Sequence, residues 1–227
     1  MAKRETPRSS PQLNLIFRFR GGARRGAGRK PSGAKAGVPH VRRPELKRRH
    51  PVHVTMKVRN GLPSLRHKPL ARLVFSAFRV ARERLGARLV QYSIQSNHIH
   101  LIVEAEGRRA LSRAMQGLAV RLARRLNERV GRSGSVFADR FHARTLRTPL
   151  EVRRALLYVL QNHRHHVHVH HAKGLDPFSS AVYFDGFIQV KPQHLGRDAP
   201  VAGPSTWLPR IGWRRHGLLG RDERPSS

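Results

Sequence analysis

From His50 onward apolar and polar positions alternate, Val52, Val54, Met56 and Val58 with His53, Thr55 and Lys57 between them, which is the period of a half-buried strand. After the turn signal Asn60-Gly61-Leu62-Pro63 the period lengthens. Leu70, Leu73, Val74, Ala77, Phe78, Ala81 and Leu85 then mark one face of a helix that Gly86 is expected to end. Leu89 to Ile94 and His98 to Glu104 read as two further strands, separated by the polar Gln95-Ser96-Asn97. A second helix is predicted from Ala110 to Val130, with Leu111, Ala114, Met115, Leu118, Leu122 and Leu126 on one stripe, and Val136 to Leu146 is predicted as a strand. Thr148-Pro149-Leu150-Glu151 opens a third helix with an N-cap hydroxyl, a proline at the first helical position and a glutamate able to close a capping box. This order of elements predicts an α+β domain over residues 50–171, a largely antiparallel sheet covered by helices.

The flanks read differently. Residues 1–49 are rich in Arg, Lys, Gly and Pro, hold only Glu5 and Glu45 as acids and keep no period, which predicts a disordered basic arm. Residues 172–227 are rich in Gly and Pro with scattered aromatics, and are expected to form an irregular extension packed on the domain.

Charge names the partner. With 46 Lys plus Arg against 13 Asp plus Glu, a formal charge of +33, the chain repels itself unless it meets a polyanion, so nucleic acid is expected. Such charge supplies salt-sensitive affinity but neither sequence preference nor an activity. The absence of cysteine excludes disulfides, thiolate metal sites and a cysteine nucleophile. No apolar run approaches the roughly 20 residues that span a bilayer. A cytoplasmic protein is expected, nucleoid-associated when bound to DNA and without a membrane partner.

Chemistry enters at His98-Ile99-His100. Side chains two apart on a strand share a face, so the two imidazoles point together while Ile99, Leu101 and Val103 bury on the other side. Two neutral imidazoles can grip one divalent ion, and a third ligand must come from elsewhere. On the third helix Val152, Ala155, Leu156 and Val159 share the apolar face, Tyr158 lies roughly 120° from its centre, and Asn162 falls about 40° from Tyr158. Gln161 points nearly opposite the apolar face, which makes Asn162 the better ligand candidate, with Gln161 and His165 in reserve. If this helix packs on the histidine face, three N/O ligands and a phenol meet, a set suited to tyrosine attack on a single-stranded DNA phosphodiester. A phenol is a weak nucleophile at neutral pH, so nearby cations must help. Arg140, Arg144 and Arg147 are candidate phosphate contacts, and His165 is an alternative phosphate-steering group. Arg121 and Arg125 on the second helix read either as DNA-backbone contacts or as a solvated arginine face.

Pro51-Val52-His53-Val54-Thr55, Asn97-His98-Ile99-His100-Leu101, the segment Val136 to His142 and the helix with Tyr158 and Asn162 together resemble the single-tyrosine transposases of the HUH superfamily, specifically the REP-associated branch. The resemblance spans roughly residues 50–166. It implies a ferredoxin-like HUH endonuclease fold and a Mg²⁺ or Mn²⁺ ion held by His98, His100 and Asn162. It also implies Tyr158 as nucleophile, a 5′-phosphotyrosine intermediate, transposition of hairpin-associated single-stranded DNA, and a homodimer as one allowed assembly. Many relatives follow the tyrosine with an Asn-Pro-Val type ending, whereas here Asn162 leads into His163-Arg164-His165-His166. The rival reading is a nucleic-acid-binding module that keeps this fold without catalysis. A histidine-triad nucleotide hydrolase fits worse, because Ile102 stands where its third histidine belongs.

Overall fold

The structure, a computed structural model, describes residues 44–163 and 174–225. In chain order the main elements are β1 (Val52–Lys57), α1 (Lys68–Ala81), β2 (Glu83–Arg84), β3 (Ala87–Ile94), β4 (His98–Ala105), α2 (Arg108–Val130), β5 (His142–Thr145) and α3 (Pro149–Gln161). The strands form one antiparallel sheet in the order β2-β3-β4-β1-β5. This is the α+β, helix-covered sheet that the alternation predicts.

Helices cover both faces. Val52, Val54 and Met56 of β1 pack with Ile99, Leu101 and Val103 of β4 beneath α1 and α2, while Val90 and Ile102 pack on the opposite face against Val152, Leu156 and Val159 of α3. A strand buried on both sides reads as a near-continuous apolar run, which is why Ile102 interrupts the polar positions of β4.

Two predicted boundaries move. The first helix ends at Ala81, and Glu83 and Arg84 double back onto Arg88 and Ala87 through Leu85 and Gly86, at φ 56° and 71°. Paired positive φ values belong to a tight two-residue hairpin, so Gly86 serves a β-turn and not a helix end. The strand predicted over 136–146 shortens to His142–Thr145, because the Asp139 side chain accepts the Arg140 N–H at 2.6 Å and turns the chain locally.

The third helix starts as its sequence predicts. Thr148 Oγ1 accepts from Glu151 N at 3.2 Å, and Glu151 Oε2 accepts from Arg147 N at 2.6 Å and Thr148 N at 3.2 Å. The Arg147 N–H foremost holds the Glu151 carboxyl below the usual carboxylate range.

Residues 174–225 lack long elements but contribute Phe184, Phe187, Leu208, Trp213 and Leu219 to the apolar cluster built around α3. Polar anchors fix them in place. Asp176 accepts from Arg66 Nη1 and Nη2 at 2.8 Å each, and the buried Glu104 carboxylate accepts from Ser205 and Thr206. The segment forms an outer wall that holds α3 on the sheet. At the other end Leu46 is already part of the core, and the rest of the predicted arm, residues 1–43, lies outside the described residues. No described helix is long and apolar enough to cross a membrane.

Candidate active site

Strand register assembles the floor of the site. Lys57 stands opposite His98, Thr55 opposite both His100 and His142, and His53 opposite both Ile102 and Arg144. Directly opposed residues share a face, so three strands place polar groups on the side that α3 covers. The helix then lays Tyr158 on this floor. Its ring centroid is 5.0 Å from that of His100 and 5.7 Å from that of His53, edge-on to both, and the His98 and His100 rings are 4.6 Å apart. The third helix thus packs on the face that displays His98 and His100.

Each histidine of the pair has an orienting neighbour at Nδ1. His98 Nδ1 lies 2.7 Å from Asn97 Oδ1, and His100 Nδ1 lies 3.2 Å from both Thr55 Oγ1 and His53 Nε2. With Nδ1 protonated toward these acceptors, Nε2 of each ring carries the lone pair that a metal ion takes. Asn162, one turn beyond Tyr158, is fully buried, and neither atom of its amide has a hydrogen-bond partner among the described residues. A buried amide in that condition is costly unless something binds it. Gln161 is committed elsewhere, donating from Nε2 to Gly220 O at 2.8 Å.

No group of three His, Cys, Asp or Glu side chains suited to a metal ion occurs among the described residues. The expected donor set, two imidazoles and a carboxamide, is a nitrogen and oxygen mixture of the kind that suits a divalent ion whose remaining positions are filled by phosphate or water oxygens.

His53 is the member the sequence reading passed over. Its place in β1 was legible from alternation, but its approach to His100 depends on register. Burial first, then the charges of His142 and Arg144, pull its pKa down from 6.5 to about 4. The folded value lies below the unfolded one, so stability is complete above pH 6.5 and is lost as pH falls through 4, by about 3 kcal/mol in all. Urea unfolding of the metal-free protein at pH 7 and pH 4 should show that loss, and His53→Gln should largely remove it. Equal pH dependence of the two proteins would assign the loss to other groups.

The remaining candidates separate by layer. Arg144 adjoins His53, Arg147 precedes the α3 cap, and Arg140 lies in the loop whose Ala138 N–H donates to Lys57 O, at the His98 end of the sheet. All three are exposed. Arg121 and Arg125 sit on α2, across the sheet from Tyr158, and Arg125 Nη1 donates to Ser76 Oγ at 2.7 Å. The structure does not bring them to the site. His165 lies outside the described residues.

A family model described as "Transposase IS200 like" matches residues 47–162, just over half of the chain. The chain belongs to the IS200-like transposase family. Among solved structures, a REP-associated tyrosine transposase bound to a REP hairpin superposes with a TM-score of 0.51 at 18% identity, covering 63% of this chain and 82% of that one. It shares the fold. A candidate transposase from Deinococcus radiodurans R1 gives a TM-score of 0.37 at 17% identity, covering 50% of this chain and 86% of that one, too low a similarity to carry weight. No curated protein matches the sequence. In this IS200-like transposase the matched region ends at Asn162, so the wall formed by 174–225 lies beyond it.

Proposed function

We propose that this transposase is a metal-dependent endonuclease and strand transferase acting on single-stranded DNA beside hairpins, with Tyr158 as nucleophile and His98, His100 and Asn162 holding Mg²⁺ or Mn²⁺. The observation that carries this reading is the Tyr158 ring seated edge-on against His100, on the face where both histidines of the pair converge. The ion, when bound, supplies Lewis-acid polarisation of the scissile phosphate.

The phenolic oxygen attacks phosphorus, so that a P–Oη bond forms as the P–O3′ bond breaks. The phenol's proton leaves to solvent and the departing 3′ oxygen takes one up, giving a 5′-phosphotyrosine and a 3′ hydroxyl. Because the phosphodiester bond is exchanged and not hydrolysed, another 3′ hydroxyl can reverse the step without an external energy source. Arg140, Arg144, Arg147 and His165 serve as phosphate contacts, and Lys57 adds a cation beside His98. Hairpin DNA as partner is supported by the strongly basic chain and by the hairpin bound to the structural neighbour.

The test is incubation of the full chain with a labelled pool of hairpins bearing randomised stems and single-stranded flanks, plus Mn²⁺. A protein-DNA species that survives a denaturing gel and is lost with chelator is expected. Its absence across the pool would overturn the proposal.

A further inference from the structure

Beside Tyr158 a cavity of about 360 Å³ opens between α3 and the β1/β5 side of the sheet. Glu151, Arg154, Ala155 and Tyr158 recur at three- and four-residue spacing, so a single stripe of α3 forms one wall. His53 and Arg144 form the facing wall, and Leu146 contributes to an apolar floor with Ala155. Among the described lining residues the only carboxylate belongs to Glu151, and the N–H groups of Arg147 and Thr148 hold it at 2.6 and 3.2 Å. Arg144 Nη2 lies 3.8 Å from Glu151 Oε1, so two guanidinium groups stand against one carboxylate, and the groove keeps a net cationic rim, with Arg154 as its larger share, over an apolar base. β5 is the outermost strand of the sheet, so among the described residues no further strand closes that side.

We propose that this groove takes up the base of one unpaired nucleotide flanking the scissile phosphate, its neighbouring phosphates lying on Arg144 and Arg154. The inference rests on Tyr158 being the nucleophile. A phosphate held at the Tyr158 oxygen places an adjoining nucleotide within reach of the cavity. The volume falls within the roughly 300–1,000 Å³ of small-ligand sites, which suits one nucleotide and excludes a duplex end. An apolar surface accepts any base by its flat face, while guanidinium groups take phosphates without regard to sequence. A free anion would need the arginines but not the floor, so the mixed lining points to a nucleotide.

The test separates this groove from the chemistry. A hairpin recovered for binding from the randomised pool is scanned with single abasic substitutions, using Tyr158→Phe protein so that no DNA is consumed. Loss of one base next to the cleaved phosphate should weaken binding about tenfold. In the Ala155→Leu, Tyr158→Phe protein, whose floor is filled, the intact hairpin should bind as weakly as the abasic one. An abasic penalty that persists at full size in the filled variant overturns the groove, as does a scan with no sensitive flanking position. If Ala155→Leu fails to fold, Arg154→Ala carries the test. It should weaken binding to every flank alike and lower the salt slope by about one, and an unchanged slope overturns the assignment. Adduct formation by the unmodified protein is read separately, so a failed groove leaves the nucleophile standing, while failure to recover any bound hairpin removes both.

Discussion

Tyr158→Phe should abolish the covalent DNA adduct and lower strand cleavage by about 10⁴-fold or more, while hairpin affinity stays nearly unchanged. The substitution removes one oxygen and keeps the ring that packs edge-on against His53 and His100 at 5.7 and 5.0 Å. Neither the core beneath α3 nor the cationic surface loses anything. His100→Ala is a poorer probe, because that side chain is buried and touches His53, Thr55 and Tyr158, so its removal disturbs packing together with ion binding. The measurement pairs a denaturing gel, which reads the adduct, with filter binding of the same labelled hairpin. An adduct persisting in Tyr158→Phe would place the nucleophile elsewhere and leave this tyrosine as a helix anchor with a wet hydroxyl.

Much of the site was legible because its rules are local. A period of two placed His98 and His100 together, a capping box marked the start of α3, and helical spacing preferred Asn162 over Gln161, whose amide indeed turns to Gly220. Register was not legible. His53, Thr55 and His142 join the site only because β1 pairs with β4 on one side and β5 on the other, and pairing over such separations leaves no trace in a short window. Tertiary contacts also overrode helical period at Arg82 to Arg84. There Arg82 Nη1 donates to the carbonyls of Gly196, Arg197 and Ala199, and Glu83 pairs with Arg88 at 2.6 Å across the hairpin. The arginine stripe on α2 reads in sequence either as a DNA-contacting face or as a solvated one, and α2 covers the other side of the sheet from Tyr158. Periodicity defines a face of a helix without saying which layer receives it. Segment 174–225 was the hardest part to read, since irregular chain has no period. Its signs in the sequence are scattered aromatics such as Phe184 and Phe187, while its anchor is a carboxylate near the end of β4.

That carboxylate, Glu104, leads to the second large effect: Glu104→Ala should cost about 3 kcal/mol of stability. Oε1 accepts from Thr206 N at 2.7 Å and Thr206 Oγ1 at 2.6 Å, and Oε2 accepts from both Ser205 N and Ser205 Oγ at 2.8 Å. Glu104 is only 3% exposed, so alanine removes a buried acceptor and leaves four donors without it, those of Ser205 near solvent and those of Thr206 half-buried. Glu104→Gln keeps one accepting oxygen and should lose less. The damage should spread along a defined route. Ser205 and Thr206 lead into the helical turn Trp207–Arg210, and the chain beyond it buries Trp213 against the outside of α3. Amide exchange at Ser205 and Thr206 should therefore accelerate first, followed by the C-terminal half of α3, while β1 and β4 stay protected by their own ladder. Adduct formation should fall as well, because the helix that carries Tyr158 loses its outer support although every ligand candidate is intact. Unchanged urea stability, with Ser205 and Thr206 still slow to exchange, would show that the wall stands without this anchor and that α3 is held on the sheet by its apolar contacts alone.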